Sequence, residues 1–232
     1  MTDTSRPDLS QPSESYSPAL GLALWARNFA PGTISGSVYA VPAASRLQAA
    51  RLLADDGHRV HVDIIITDDG THTGVTPDEL LLMHRAVPEA RFDVHLILPT
   101  IKMIDPVKSA AETAIRAAGE VKAEFFALAP RVLQDFADAL EDLRTKEVPI
   151  WAEVSIGDDL TGLRRADGAL VMLIESGTRN AADPSQLRKV ARLAGTTPVA
   201  IDGGVTAAVA AEGLQLGADV IVSGRALFEI AG

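Results

Sequence analysis

The chain has 232 residues, 31 of them acidic and 21 basic, for a formal charge of −10, and it has no cysteine. Disulfides, thiolate chemistry and cysteine-ligated metals are therefore excluded, and the negative balance argues against nucleic acid or an anionic membrane as partner. With 47% hydrophobic but only 4% aromatic residues, aliphatic side chains must fill the interior, which suits a parallel sheet covered by helices.

The first 18 residues are polar and lack the basic and apolar regions of a signal peptide, so they are expected to form a disordered tail ahead of one domain over 19–232. No apolar run reaches membrane-spanning length, and a cytoplasmic location is expected. Leu20 to Asn28 is read as a short helix. Strand-like and helix-like segments then alternate. The predicted strands are Thr33–Tyr39, Val60–Ile66, Arg91–Leu98, Ala123–Ala129, Val148–Ile156, Ala169–Ile174, Pro198–Ile201 and Ala218–Val222.

Between them lie predicted helices over Ala43–Asp55, Pro77–Ala86, Val107–Ala118, Val132–Leu143, Asp159–Arg165, Pro184–Leu193 and Thr206–Leu216, with a brief last one over Arg225–Ile230. Eight βα repeats in this length predict an α/β protein, a single (β/α)₈ TIM barrel. An open doubly wound sheet is the competing fold, but no GxGxxG follows the first strand.

Four ionisable residues sit in otherwise apolar strands. In RVHVDIII, His61 and Asp63 are two apart and so share a face. His95 lies in FDVHLIL, and VAIDGG supplies Asp202 at the end of the seventh strand with glycines immediately after it. Burying such groups costs several kcal/mol, in order of magnitude, unless they pair or bind a metal. Two histidines and two aspartates at strand ends form a plausible shell for one divalent ion, Zn, Mn, Fe or Co. Singly, each histidine reads first as a hydrogen-bonded core residue and each aspartate as readily as a turn cap; together the four favour a shared metal site. Gly203, Gly204 and Gly224 lie at strand-to-helix junctions, where backbone N–H groups can receive an anion. His58 is expected to be solvated, His72 to lie in a loop near the pocket, and His84 to be structural.

The chain resembles the ribulose-phosphate 3-epimerase family through GSV at 36–38, HVD at 61–63, DVHL at 93–96, LVM at 170–172, IDGGV at 201–205 and GADVIVSGRALF at 217–228. The resemblance implies a (β/α)₈ barrel that interconverts D-ribulose 5-phosphate and D-xylulose 5-phosphate. It implies metal ligation by His61, Asp63, His95 and Asp202, acid/base roles for Asp63 and Asp202, and a substrate contact for Ser37. A small-molecule sugar phosphate is the expected partner, and a homo-oligomer is compatible with the family.

The chain departs from the family in several places. HVD continues as IIITDDG without the family's methionine, and Tyr39 stands near a usual leucine. Where the family has a Gly-rich stretch after the sixth strand, this chain reads SGTRNA over 176–181, keeping only Gly177. Arg179 and Arg225 are the residues that could supply charge-assisted substrate contacts in its stead. A different ketose, phosphorylated or free, and a catalytically silent binding barrel are the alternative functions.

Overall fold

The computed structural model describes residues 20–99, 104–160, 163, 166–176, 178 and 180–230. The expected N-terminal tail and most of the helix expected over 159–165 lie outside them.

Eight parallel strands close into a barrel: β2 (Ile34–Ser37), β3 (Arg59–Ile65), β4 (Arg91–Ile97), β5 (Phe126–Leu128), β6 (Ile150–Val154), β7 (Gly168–Met172), β8 (Val199–Asp202) and β9 (Val220–Ser223), with β9 pairing back to β2. The helices that follow them are α1 (Arg46–Asp55), α2 (Pro77–Ala86), α3 (Asp105–Glu120), α4 (Ala137–Thr145), α5 (Leu187–Leu193) and α6 (Ala207–Gln215). This is the predicted (β/α)₈ fold.

Side-chain alternation builds two cores. Outward residues such as Val60, Val62, Ile64, Phe92, Val94 and Leu96 are fully or almost fully buried against the helices. Their inward neighbours form the barrel interior, where Phe125, Ala127, Trp151, Leu170, Met172, Ala200, Val220 and Val222 make a separate apolar cluster. Phe125 and Trp151 stack with ring centroids 4.0 Å apart. A Cβ on Gly168 would lie 2.4 Å from the Trp151 ring, so this position must be glycine for the indole to lie where it does.

Local chemistry sets the helix entrances. Thr76 caps α2, accepting from the Glu79 N–H at 3.2 Å while the Glu79 carboxylate accepts from the Thr76 N–H at 2.8 Å, and Pro77 occupies the first turn. Glu79 also receives Arg46 at 2.8 Å, which pins α1 to α2.

The two ends of the described chain differ from expectation. Leu20–Leu22 is a strand, β1, and only Leu24–Asn28 is helical, as a 3₁₀ turn. The expected last helix over 225–230 is a turn followed by a strand, β10 (Phe228–Ile230), paired antiparallel with β1. Six residues give too few helical hydrogen bonds to offset nucleation, whereas Phe-Glu-Ile alternates as an edge strand does. His58 also departs from expectation, being buried at 4% exposure. Gly57, at φ +76°, turns the chain there, and the His58 N–H bonds back to the Leu53 carbonyl at 2.8 Å.

Candidate metal centre and cleft

The strand registers bring the predicted residues together. His61 stands opposite Asp93, and Asp63 opposite His95, in the β3–β4 pair. Ser37 is opposite His61 on β2, and Asp202 ends β8 opposite Met172. One ligand atom from each of His61, Asp63, His95 and Asp202 falls within 4.8 Å of all the others.

Each imidazole is held from behind by a carboxylate. His61 Nδ1 pairs closely with the fully buried Asp93, which also accepts from Ser35 Oγ at 2.8 Å. His95 Nε2 lies 3.0 Å from Glu153 Oε2. An ionised carboxylate only accepts, so these contacts place the ring protons on His61 Nδ1 and His95 Nε2. The remaining nitrogens, His61 Nε2 and His95 Nδ1, are buried without a hydrogen-bond partner. They sit 3.3 and 3.5 Å from Asp63 Oδ1, and 3.8 and 3.9 Å from Asp202 Oδ2.

These separations are long for hydrogen bonds. They are close to the roughly 3–3.5 Å between neighbouring ligand atoms in a shell with bonds of about 2.0–2.2 Å. Two orphaned buried nitrogens facing two carboxylate oxygens, each ring oriented by a second carboxylate, form a donor set that fits a divalent cation.

The buried charges shift one another. Burial pulls His61 down, but the carboxylates of Asp63 and Asp93 outweigh it and raise its pKa well above the ordinary value. Burial likewise opposes protonation of His95, yet Asp63 and Glu153 raise it to about 9. Burial tends to raise Asp63, but the two imidazoles hold it well below the usual carboxylate range. Asp202 goes the other way, pushed up to about 6 by burial and by the neighbouring Asp63 charge against the opposing pull of the histidines.

Above this floor opens a cleft of about 440 Å³. Asp63 and Asp202 are exposed to it, whereas His61 and His95 lie beneath. Ser37, Tyr39, Gly203, Gly204, Gly224 and Arg225 also line it. Ser37 Oγ donates to Asp63 Oδ2 at 2.7 Å, so it orients a carboxylate as well as facing the cleft. Gly203 and Gly204 both have positive φ, +103° and +65°, and a Cβ on Gly203 would collide with Ile174 and one on Gly204 with Ala182. Gly177 and Arg179 lie outside the described residues. His72 bridges to Ile66 and is not among the cleft-lining residues, and His84 packs edge-on against Phe92.

Sequence reasoning passed over Ser35, Asp93 and Glu153. The signal for Asp93 was available, because it lies two before His95 and so shares its inward face. Glu153, a carboxylate inside the apolar run IWAEV, carried the same kind of signal.

No protein-family model matches the chain, and no curated protein matches its sequence. Solved structures do resemble it. 3-Hexulose-6-phosphate synthase from Salmonella typhimurium superimposes with a TM-score of 0.60 at 12% identity, covering 84% of this chain and 89% of that one. A tryptophan synthase α-subunit from Pyrococcus furiosus gives 0.60 at 12%, over 85% and 89%. A phospho-2-dehydro-3-deoxyheptonate aldolase from Thermotoga maritima gives 0.55 at 14%, over 83% of this chain but only 59% of the aldolase. At such identities the likeness is one of fold, that of TIM-barrel proteins. Among the described residues no helix is long and apolar enough to cross a membrane.

Proposed function

We propose that the chain is a metal-dependent epimerase that inverts C3 of a ketose phosphate, with D-ribulose 5-phosphate as the substrate its sequence resemblance favours. The supporting observation is the pair of cleft-facing carboxylates, Asp63 and Asp202, above two buried imidazoles with unpartnered nitrogens. A divalent cation held by His61, Asp63, His95 and Asp202 would polarise the ketose carbonyl and acidify the neighbouring C–H.

Inversion needs one group to remove a proton and another to return one to the opposite face. Asp63 on β3 and Asp202 on β8 are three strands apart around the closed barrel, so they enter the cleft from different sides. Their proton affinities differ, Asp63 being held low and Asp202 raised to about 6. In the metal-free protein the two carboxylates therefore sit in different electrostatic surroundings, and their placement on separate strands is what suits them to opposite faces of the substrate. Ser37 fixes the rotamer of Asp63, and the backbone around Gly203, Gly204 and Gly224, with Arg225, lines the side of the cleft assigned to the far end of the sugar. A ketose without phosphate is the second reading, favoured by SGTRNA at 176–181 in place of the family's Gly-rich stretch.

The test is exchange of the ketose C3 proton with solvent deuterium, followed alongside product formation. Asp202→Asn should lower product formation by about 10²–10⁴-fold, the usual contribution of a positioned acid or base, while retaining the wild-type fold by circular dichroism. Product formation at the wild-type rate in this variant would remove Asp202 from the chemistry.

A further inference from the structure

Glu153 has no part in the chemistry just described. It projects from β6 into the barrel, two residues beyond Trp151, and is only 4% exposed. A carboxylate buried beside an indole is costly unless its oxygens are satisfied. Both are. Oε2 faces His95 Nε2 at 3.0 Å, and Oε1 accepts from Ser155 Oγ at 2.6 Å and Ser176 Oγ at 2.7 Å.

His95 and Glu153 lie on β4 and β6, with β5 between them. The β5 residue in register with His95 is Ala127, whose small side chain lets the two reach one another across it. The chain around Glu153 is anchored in turn, because the buried Lys189 donates to the carbonyls of Ser155 and Ile156 at 2.6 and 3.0 Å. Ser176 opens the segment whose Thr178, Asn180 and Ala181 line the cleft. One carboxylate thus joins an imidazole of the metal centre to the cleft wall.

We propose that Glu153 is a positioning residue of the metal centre, fixing the His95 proton on Nε2 so that Nδ1 faces the cation, and tying that ligand through Ser176 to the cleft-lining segment. The proposal rests on the reading of His95 as a metal ligand. It gives Glu153 work that an apolar residue of similar volume could not do, since an acceptor behind the ring selects the tautomer and a carboxylate there raises the donor strength of the ligating nitrogen. His61 has its counterpart in Asp93, so the two rings are presented by opposite nitrogens, Nε2 and Nδ1, each set by its own carboxylate.

The experiment is a Co²⁺ titration of the full chain stripped of metal, read by the visible absorption of the bound ion, with melting of the metal-free proteins measured in parallel. Glu153→Gln should bind Co²⁺ about tenfold more weakly than wild type, and Glu153→Ala nearer a hundredfold, with a shifted absorption band. Ser176→Ala keeps the carboxylate but removes one anchor, and should weaken binding roughly threefold. E153Q should melt close to wild type, which separates positioning from general structural damage. If wild type binds one Co²⁺ and E153Q binds it with unchanged affinity and spectrum, the role of Glu153 is overturned and the metal centre stands. If wild type binds no Co²⁺, both are overturned.

Discussion

The two halves of the barrel interior are built from the same strand geometry but opposite chemistry. Around β2, β3 and β4 the inward positions include Ser35, Ser37, His61, Asp63, Asp93 and His95, joined in hydrogen-bonded and charged pairs, with Ile65 and Ile97 beyond them at the cleft. Around β5 to β9 they are mainly Phe125, Ala127, Trp151, Leu170, Met172, Ala200, Val220 and Val222. Among the described residues, Glu153 and Asp202 bring carboxylates from that side to the polar one. Burying ions rarely adds net stability, whereas packed rings and aliphatics do so directly. The difference teaches that one half of the interior holds the barrel together and leaves the other free to hold groups suited to chemistry.

The hardest test of that division is Phe125→Ala. Phe125 is fully buried and stacked on Trp151. Its truncation should cost about 3–5 kcal/mol of unfolding free energy, measured by denaturant titration. The metal stoichiometry of the protein that remains folded should be unchanged. A folded variant that lost its metal site would show that the two halves are not separable.

A smaller change probes the same half by overpacking. Gly168→Ala would place a Cβ 2.4 Å from the Trp151 ring, so the indole or β7 must shift. The expected cost is about 1–3 kcal/mol, visible as a lowered melting temperature. A neutral outcome would mean that the apolar half is loosely packed, against its buried, stacked appearance.

The sequence made the strand-and-helix alternation legible because the strands are short aliphatic runs bounded by turn residues and some helices carry a start signal. Thr76-Pro77-x-Glu79 is the clearest of these, and α2 begins and ends where it was expected. The four ligand candidates were legible because strand parity fixes facing, as for His61 and Asp63. What sequence could not carry was pairing across the barrel. Glu153 meets His95 only because β4, β5 and β6 are adjacent and Ala127 is small. The β1–β10 pair escaped for the same reason, since it joins segments about 200 residues apart and no local period records it. His58 was misread because a polar residue after Gly57 looks like a turn, while its burial depends on tertiary packing.

His58 also supplies the smallest and most discriminating test, since it is a buried histidine outside both halves. Neither of its ring nitrogens has a hydrogen-bond partner, and burial lowers its pKa, with Asp56 opposing. His95, beside Asp63 and Glu153, is raised to about 9 despite burial. Their contributions to the stability of the metal-free protein must therefore run in opposite directions with pH. The His95 contribution is complete below the unfolded value of about 6.5 and is lost as pH rises through about 9. The His58 contribution is complete above about 6.5 and is lost as pH falls through its lower folded value. Side-chain NMR of the metal-free protein should show His58 losing its proton at lower pH than His95. If both titrated together near the ordinary value, the carboxylates behind His95 would not be ionised, and the partnered polar half would have no electrostatic advantage over a lone buried ring.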